Sequence, residues 1–167
     1  IALFKGSKYV HCDGQNVYTK VQEKIKSGKP VLFVGMPCQV AAIKRLVGNT
    51  PLLYTVDLIC HGTPPQQYFR EHFKPEKNRI RSINFRDKGI YRMKLETMSQ
   101  KIRIINGGLD EYYLSFINGI IFNDCCYQCQ YARTERVSDI TIGDFWGIDP
   151  DFLKQEKVNK VSLVLAN

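Results

Sequence analysis

Apolar residues recur at four-residue spacing in residues 16–26, where Val17, Val21 and Ile25 predict an amphipathic helix. Ser27-Gly28-Lys29-Pro30 stops it. Residues 31–34 are a continuous apolar run, the pattern of a buried strand. Gly35-Met36 turns the chain, Pro37 suits a first helical position, and Ala41, Ala42, Ile43 and Leu46 carry a helix onward. Residues 52–59 read as a further strand, with Asp57 inside it, and residues 1–4 as a short opening strand. His61-Gly62-Thr63-Pro64 breaks the pattern before a helix that runs to about residue 73. Strand and helix thus alternate as in a parallel βαβαβ unit over residues 1–66.

Beyond residue 67 the period changes. Residues 80–85, 91–97 and 102–105 alternate as strands of an antiparallel meander, with Asp87-Lys88-Gly89 at one turn. A helix is expected over residues 109–120, then a cysteine-rich loop, then strands at 139–142 and 161–165 on either side of Gly143-Asp144-Phe145-Trp146-Gly147. The expected fold is mixed α/β: a single domain over residues 1–167, with a parallel unit at 1–66 and the meander, loop and last strands at 67–167. Neither end has the look of a natural terminus, since the chain opens on Ile1 and stops just after an apolar run. A fragment of a longer protein is therefore expected.

Composition narrows the class. A hydrophobic fraction of 44% and a charged fraction of 24% over 167 residues exclude disordered and fibrous chains. No apolar run reaches the roughly 20 residues of a membrane span, and no leader precedes the first helix, so a cytoplasmic protein is expected. The net charge of +8 points to an anionic partner. Its excess lies in residues 61–110, with eleven bases against five acids. Phe73, Phe85 and Tyr91 interleave with that basic stretch, yet no nucleic-acid-binding motif accompanies it, and no nucleic-acid partner is expected.

Six cysteines carry the candidate chemistry: Cys12, Cys38, Cys60, Cys125, Cys126 and Cys129. Cys38 and Cys60 each follow a strand, where open parallel sheets collect ligands. Cys38 also opens a helix, whose N–H groups favour a thiolate. Should the two strands be neighbours, their sulfurs converge. Cys126 and Cys129 form a C-x-x-C, a spacing that grips an iron–sulfur cluster, a zinc ion or a redox disulfide. Without the strand–C-x-x-C–helix setting of a thioredoxin, the last of these ranks below the other two. A non-catalytic binding module with a structural zinc site of four cysteines remains the alternative to an electron-transfer site. Of the histidines, His61 lies in a ligand-like loop, while His11 and His72 read as surface residues. Asp57 and Asp144 suit either a cofactor or a turn. Trp146 suits a stacking platform or, more commonly, a core. Arg86 and Lys88 suit a phosphate, or an exposed hairpin turn with its own ion pair.

Five motifs follow in order: Gly35-Met36-Pro37-Cys38-Gln39-Val40-Ala41, Thr55-Val56-Asp57-Leu58-Ile59-Cys60-His61-Gly62, Ser82-Ile83-Asn84-Phe85-Arg86-Asp87-Lys88, Cys126-Tyr127-Gln128-Cys129, and Ser138-Asp139-Ile140-Thr141-Ile142-Gly143-Asp144-Phe145-Trp146-Gly147-Ile148. From about residue 31 onward the chain resembles the coenzyme F-420 hydrogenase/dehydrogenase beta-subunit family. The resemblance implies an iron–sulfur flavoprotein oxidoreductase that passes electrons between a 4Fe-4S cluster and FAD, to or from a coenzyme F-420-like or other small-molecule hydride acceptor. It implies that Cys38, Cys60, Cys126 and Cys129 ligate the cluster. It places Gly35, Met36, Pro37, Gln39, His61, Gly62, Asn84, Arg86, Asp87, Lys88, Asp144, Trp146 and Gly147 around the flavin. It further implies a ferredoxin or ferredoxin-like domain as electron donor, and bacterial members of this kind lie among polysaccharide genes. Four departures from the family pattern are expected: its cysteine-rich amino-terminal segment and its region after Leu165 lie outside these 167 residues, Met36 stands where threonine is usual, and Cys125 is extra.

Overall fold

The computed structural model describes residues 9–12, 14–76, 79–158 and 161–167. The strand expected at residues 1–4 lies outside them. Two units divide the chain, and each is interrupted in sequence. One combines residues 9–12 with His61–Gln128, and the other combines residues 14–60 with Cys129–Asn167.

In the second unit, helix α1 spans Gln15–Lys26, strand β1 Val31–Gly35, helix α2 Pro37–Val47 and strand β2 Leu53–Leu58. Strands β6 (Ile140–Asp144) and β7 (Ser162–Ala166) complete a sheet in the order β1-β2-β6-β7. The first three strands run parallel, and β7 returns antiparallel to β6. Local signals account for most of these boundaries. Pro37 supplies a fixed φ and no N–H at the start of α2, and Gly48, with φ of +72°, ends it. Helix α1 buries Val21, with Tyr18 and Ile25 packed beside it, against Phe33, Val40 and Ile43. Val17 is 48% exposed, so the apolar stripe runs through 18, 21 and 25 rather than 17, 21 and 25.

Among the described residues, the sheet of this unit is covered on one face only. Phe33, Thr55, Asp57 and Thr141 point to the buried side, whereas Leu32, Val34, Tyr54, Leu58, Ile142 and Val164 stay exposed on the other. Cross-strand register puts this exposed set on one continuous face, since Leu32 lies opposite Tyr54, Leu58 opposite Ile142 and Ile142 opposite Val164. The run at 31–34 therefore forms a strand buried on alternate positions, not on both sides.

In the other unit, helix α3 (Gln66–His72) precedes the antiparallel meander of β3 (Ile80–Asn84), β4 (Arg92–Thr97) and β5 (Ile102–Asn106). Helix α4 covers Glu111–Ile117, and a single helical turn, α5, covers Asp124–Tyr127. The core here is Phe73, Phe85, Met93, Leu95, Tyr112 and Tyr113. The buried Tyr113 hydroxyl donates to the Phe85 carbonyl at 2.7 Å. Helix α4 is shorter than the expected 109–120. Asp110 caps its start by accepting from the Tyr113 N–H, and Gly119, in the left-handed region at φ +70°, follows its end. His72 is not a plain surface residue. It is half-buried edge-on to Phe73, and its Nε2–H donates to the Asp110 carboxylate at 2.9 Å.

Two helical segments escape the periodicity reading. Cys125 and Cys126 lie on α5 rather than in a plain loop. Helix α6, Pro150–Gln155, follows β6, with Asp149 accepting from the Asp151 N–H and Pro150 at its first position. Asp-Pro is a readable start signal, but α6 buries none of its residues and so carries no apolar stripe.

Candidate functional site

Parallel pairing places the carboxyl ends of β1, β2 and β6 along one edge of the sheet, with Gly35 in register with Asp57. The segments leaving that edge are Met36-Pro37-Cys38-Gln39 at the start of α2, Ile59-Cys60 and Phe145-Trp146-Gly147. Cys38 and Cys60 thus follow neighbouring strands, as their sequence settings suggest.

Cys129 joins them. Partial desolvation pushes the Cys38 thiol above its ordinary pKa, and the nearby Cys60 and Cys129 add to the rise. Backbone N–H groups of Gln39 and of Cys38 itself pull it back only in part. A helix start on its own favours the Cys38 thiolate. Here partial desolvation of the thiol and two neighbouring sulfurs outweigh the α2 N–H groups, which corrects that expectation. Cys38 and Cys60 are exposed, and Cys129 is half-buried. Among the described residues, no three His, Cys, Asp or Glu side chains crowd close enough to hold one metal ion. The three sulfurs share an electrostatic neighbourhood without meeting at a point.

The loop that brings Cys129 is anchored by a residue that the sequence reading passes over. Arg136, its side chain 9% exposed, pairs with the fully buried Asp57 at 3.3 Å. The same guanidinium donates to the carbonyls of Leu58, Tyr131 and Arg133 and to the Thr141 hydroxyl. Thr141 in turn donates a short hydrogen bond to Asp57. Asp57 therefore neither faces a ligand nor caps a turn. An acid inside an apolar strand is the only signal of this arrangement, and its partner stands 79 positions away in the chain.

Several residues of the expected flavin set have internal partners. Gly35 leaves room for its neighbours, since a Cβ there would lie 2.9 Å from the Phe33 ring and 3.0 Å from the Gln39 amide oxygen. That oxygen accepts from the Met36 N–H at 2.9 Å, closing the start of α2. Asp144, Phe145, Trp146 and Gly147 are exposed, Trp146 at 70%. The only tryptophan is thus on the surface, and a side chain at Gly147 would meet nothing within 4 Å.

In the other unit, His61 donates to the Ile117 carbonyl and stands edge-on to Phe116 and Phe122. Cys126 lies 3.9 Å from the Thr63 hydroxyl. Asn123 donates to both the carbonyl and the hydroxyl oxygen of Thr63, so Thr63 and Asn123 fix the turn that carries Cys126. At the meander turn, the Arg86 N–H donates to Asn84, Asp87 pairs with Arg92 at 2.6 Å, and the Arg86 guanidinium lies over the Tyr91 ring. Lys88 adopts a left-handed conformation at φ +54° and is exposed.

Gly62 supports a specific expectation. Its φ is +121°, and a Cβ would lie 2.7 Å from the Phe122 ring. Gly62→Ala is expected to cost about 1–3 kcal/mol from overpacking alone, read by urea unfolding. In a double-mutant cycle, Phe122→Ala should return part of that loss; strict additivity would contradict it.

Asp139 supports another. Burial raises its pKa, but hydrogen bonds from the Thr55 hydroxyl and N–H, with the Lys44 ammonium at 3.1 Å, outweigh burial and hold it below the ordinary value. A depressed carboxylate contributes stability above its unfolded pKa and loses it as pH falls through the folded one. Thermal midpoints should therefore drop below about pH 4, and Asp139→Asn should flatten that slope. An unchanged slope in the variant would refute the assignment.

No helix among the described residues is long and apolar enough to cross a membrane. No curated relative matches the sequence. In fold, the chain is similar to one in the solved structure of the xenon-derivatised F420-reducing [NiFe] hydrogenase complex from Methanosarcina barkeri, with a TM-score of 0.51 at 12% identity. The match covers 97% of this chain and 60% of the other. A family model describing the carboxyl-terminal part of the coenzyme F420 hydrogenase/dehydrogenase beta subunit matches residues 28–167, from just before β1 to the last strand. With that match spanning the sheet, the cysteine loops and the meander, the chain belongs to the coenzyme F420 hydrogenase/dehydrogenase beta-subunit family.

Proposed function

We propose that this domain holds a 4Fe-4S cluster on Cys38, Cys60, Cys126 and Cys129 with FAD beside it, and moves electrons to or from a small hydride acceptor of the coenzyme F-420 type. The observation that carries the reading is the gathering of Cys38, Cys60 and Cys129, from three separated stretches of sequence, in one neighbourhood of the sheet unit. Cys126 is the fourth ligand by sequence, three positions before Cys129. The donor set fits the group: all four ligands are cysteines, and the partial desolvation and neighbouring sulfurs that raise the Cys38 pKa disfavour a thiolate that a cationic iron core would stabilise. When bound, a cluster carries single electrons and a flavin converts them to two-electron hydride chemistry.

The chain's own residues supply position and charge. Backbone N–H groups at the start of α2 partly offset negative charge on Cys38. Thr63 and Asn123 orient Cys126. For the flavin, Trp146 offers an exposed indole face, while Arg86 and Lys88 offer cationic donors suited to a diphosphate. Met36, Pro37, Gln39, His61, Gly62, Asn84 and Asp87 shape the loops that carry these groups, and Gly35, Asp144 and Gly147 complete the set. A ferredoxin or ferredoxin-like domain is the proposed donor, in keeping with a structural neighbour that belongs to a hydrogenase complex.

Anaerobic reconstitution with ferrous iron, sulfide and FAD tests the reading. Brown protein with about four irons per chain and a flavin spectrum is expected. A colourless chain, or one that takes zinc and refuses iron, overturns it.

A further inference from the structure

We infer that Arg136 is the positioning residue that sets the cysteine loop against the sheet, holding Cys129 in reach of Cys60 and Cys38. The inference rests on the cluster reading above and deepens it. Three facts carry it. First, Arg136 uses its whole fork, with Nε on Thr141, Nη1 on the Tyr131 and Arg133 carbonyls, and Nη2 on Asp57 and the Leu58 carbonyl. Second, apart from Thr141 on β6, these partners fall into two groups. Tyr131 and Arg133 belong to the loop that begins at Cys129, while Asp57 and Leu58 end the strand that leads to Cys60. One side chain therefore fastens the two ligand-bearing segments to each other. Third, the charge pair at the centre of the fastening is buried, with Arg136 at 9% and Asp57 at 0% exposure. Water therefore screens that pair little.

A lysine cannot reproduce this. It keeps the positive charge facing Asp57, but a single ammonium has three donors and no planar fork to span a carboxylate and three carbonyls. Arg136→Lys thus separates charge from positioning. Residues that orient metal ligands typically change affinity by about 10–100-fold when replaced.

The test compares wild type, Arg136→Lys and the double variant Asp57→Asn/Arg136→Gln, each reconstituted anaerobically with ferrous iron and sulfide. The double variant leaves no unpaired buried charge and guards against simple unfolding. Circular dichroism and thermal unfolding select the folded variants. Iron release to a chelator, the electron paramagnetic resonance spectrum and the midpoint potential of the reduced cluster are then read. Folded variants are expected to release iron about 10–100-fold faster than wild type, with an altered spectrum. A folded variant with wild-type release rate, spectrum and potential overturns the inference, as does failure of both variants to fold, which would make Arg136 a support of the fold as a whole. Failure of wild type itself to take up iron refutes the cluster reading instead, so the two outcomes are distinct.

Discussion

Asp57→Ala is expected to lower the free energy of unfolding by about 3–5 kcal/mol, the range for removing one partner of a buried ion pair. The substitution strands the Arg136 guanidinium in a place where it is 9% exposed, and it deprives the Thr141 hydroxyl of its acceptor. The reciprocal change, Arg136→Ala, leaves a carboxylate with no exposure at all. Removing both charges should cost less than either single change, because desolvation of an uncompensated ion is the dominant penalty. Chemical denaturation of the two single variants and the double gives the coupling directly. If Asp57→Ala lost less than about 1 kcal/mol, water would have to reach the pair, contrary to its burial.

The second large effect concerns iron. Serine at position 38, 60, 126 or 129 should reduce bound iron from about four per chain to little or none, since a hydroxyl rarely ionises and binds iron weakly beside a thiolate. Cys12→Ser and Cys125→Ser should leave it unchanged. The contrast between Cys125 and Cys126 is the sharpest part of this expectation, because the two are adjacent on α5 and differ in burial, Cys125 being exposed and Cys126 half-buried. Cys126 lies beside the Thr63 hydroxyl, itself held by Asn123. Iron and acid-labile sulfide assays on all six variants settle the ligand set. Full iron content in Cys126→Ser, or its loss in Cys125→Ser, would reassign the fourth ligand.

What the sequence discloses depends on how far each feature reaches along the chain. Strands β1 to β5 and helices α1 to α3 follow from local period and punctuation. Cys38 and Cys60 can be paired from their strand-end positions because β1 and β2 are joined by one short helix. The placement of β6 next to β2 is different. The residues between them form most of another unit, and nothing in either strand announces its neighbour. The Asp57–Arg136 pair fails to show for the same reason. Helix α6 has a start signal but no apolar stripe, and α5 is a single turn, too short for a period to register. Glycines disclose less. The resemblance places Gly35 and Gly62 around the flavin, and in the structure a Cβ at each would meet Phe33 and Gln39 or Phe122. A glycine in a motif marks a close approach without saying of what.

The uncovered face of the four-stranded sheet bears on how this chain behaves in solution. Leu32, Val34, Tyr54, Leu58, Ile142 and Val164 form a water-facing sheet surface of the kind that drives self-association. The opposing influence is the excess of 24 basic over 16 acidic residues, which makes copies repel one another. That repulsion acts through solvent and is largely screened at high ionic strength, whereas apolar attraction is not. Solubility of this chain on its own is thus a contest between its charge and its sheet, and added salt shifts that contest toward the sheet.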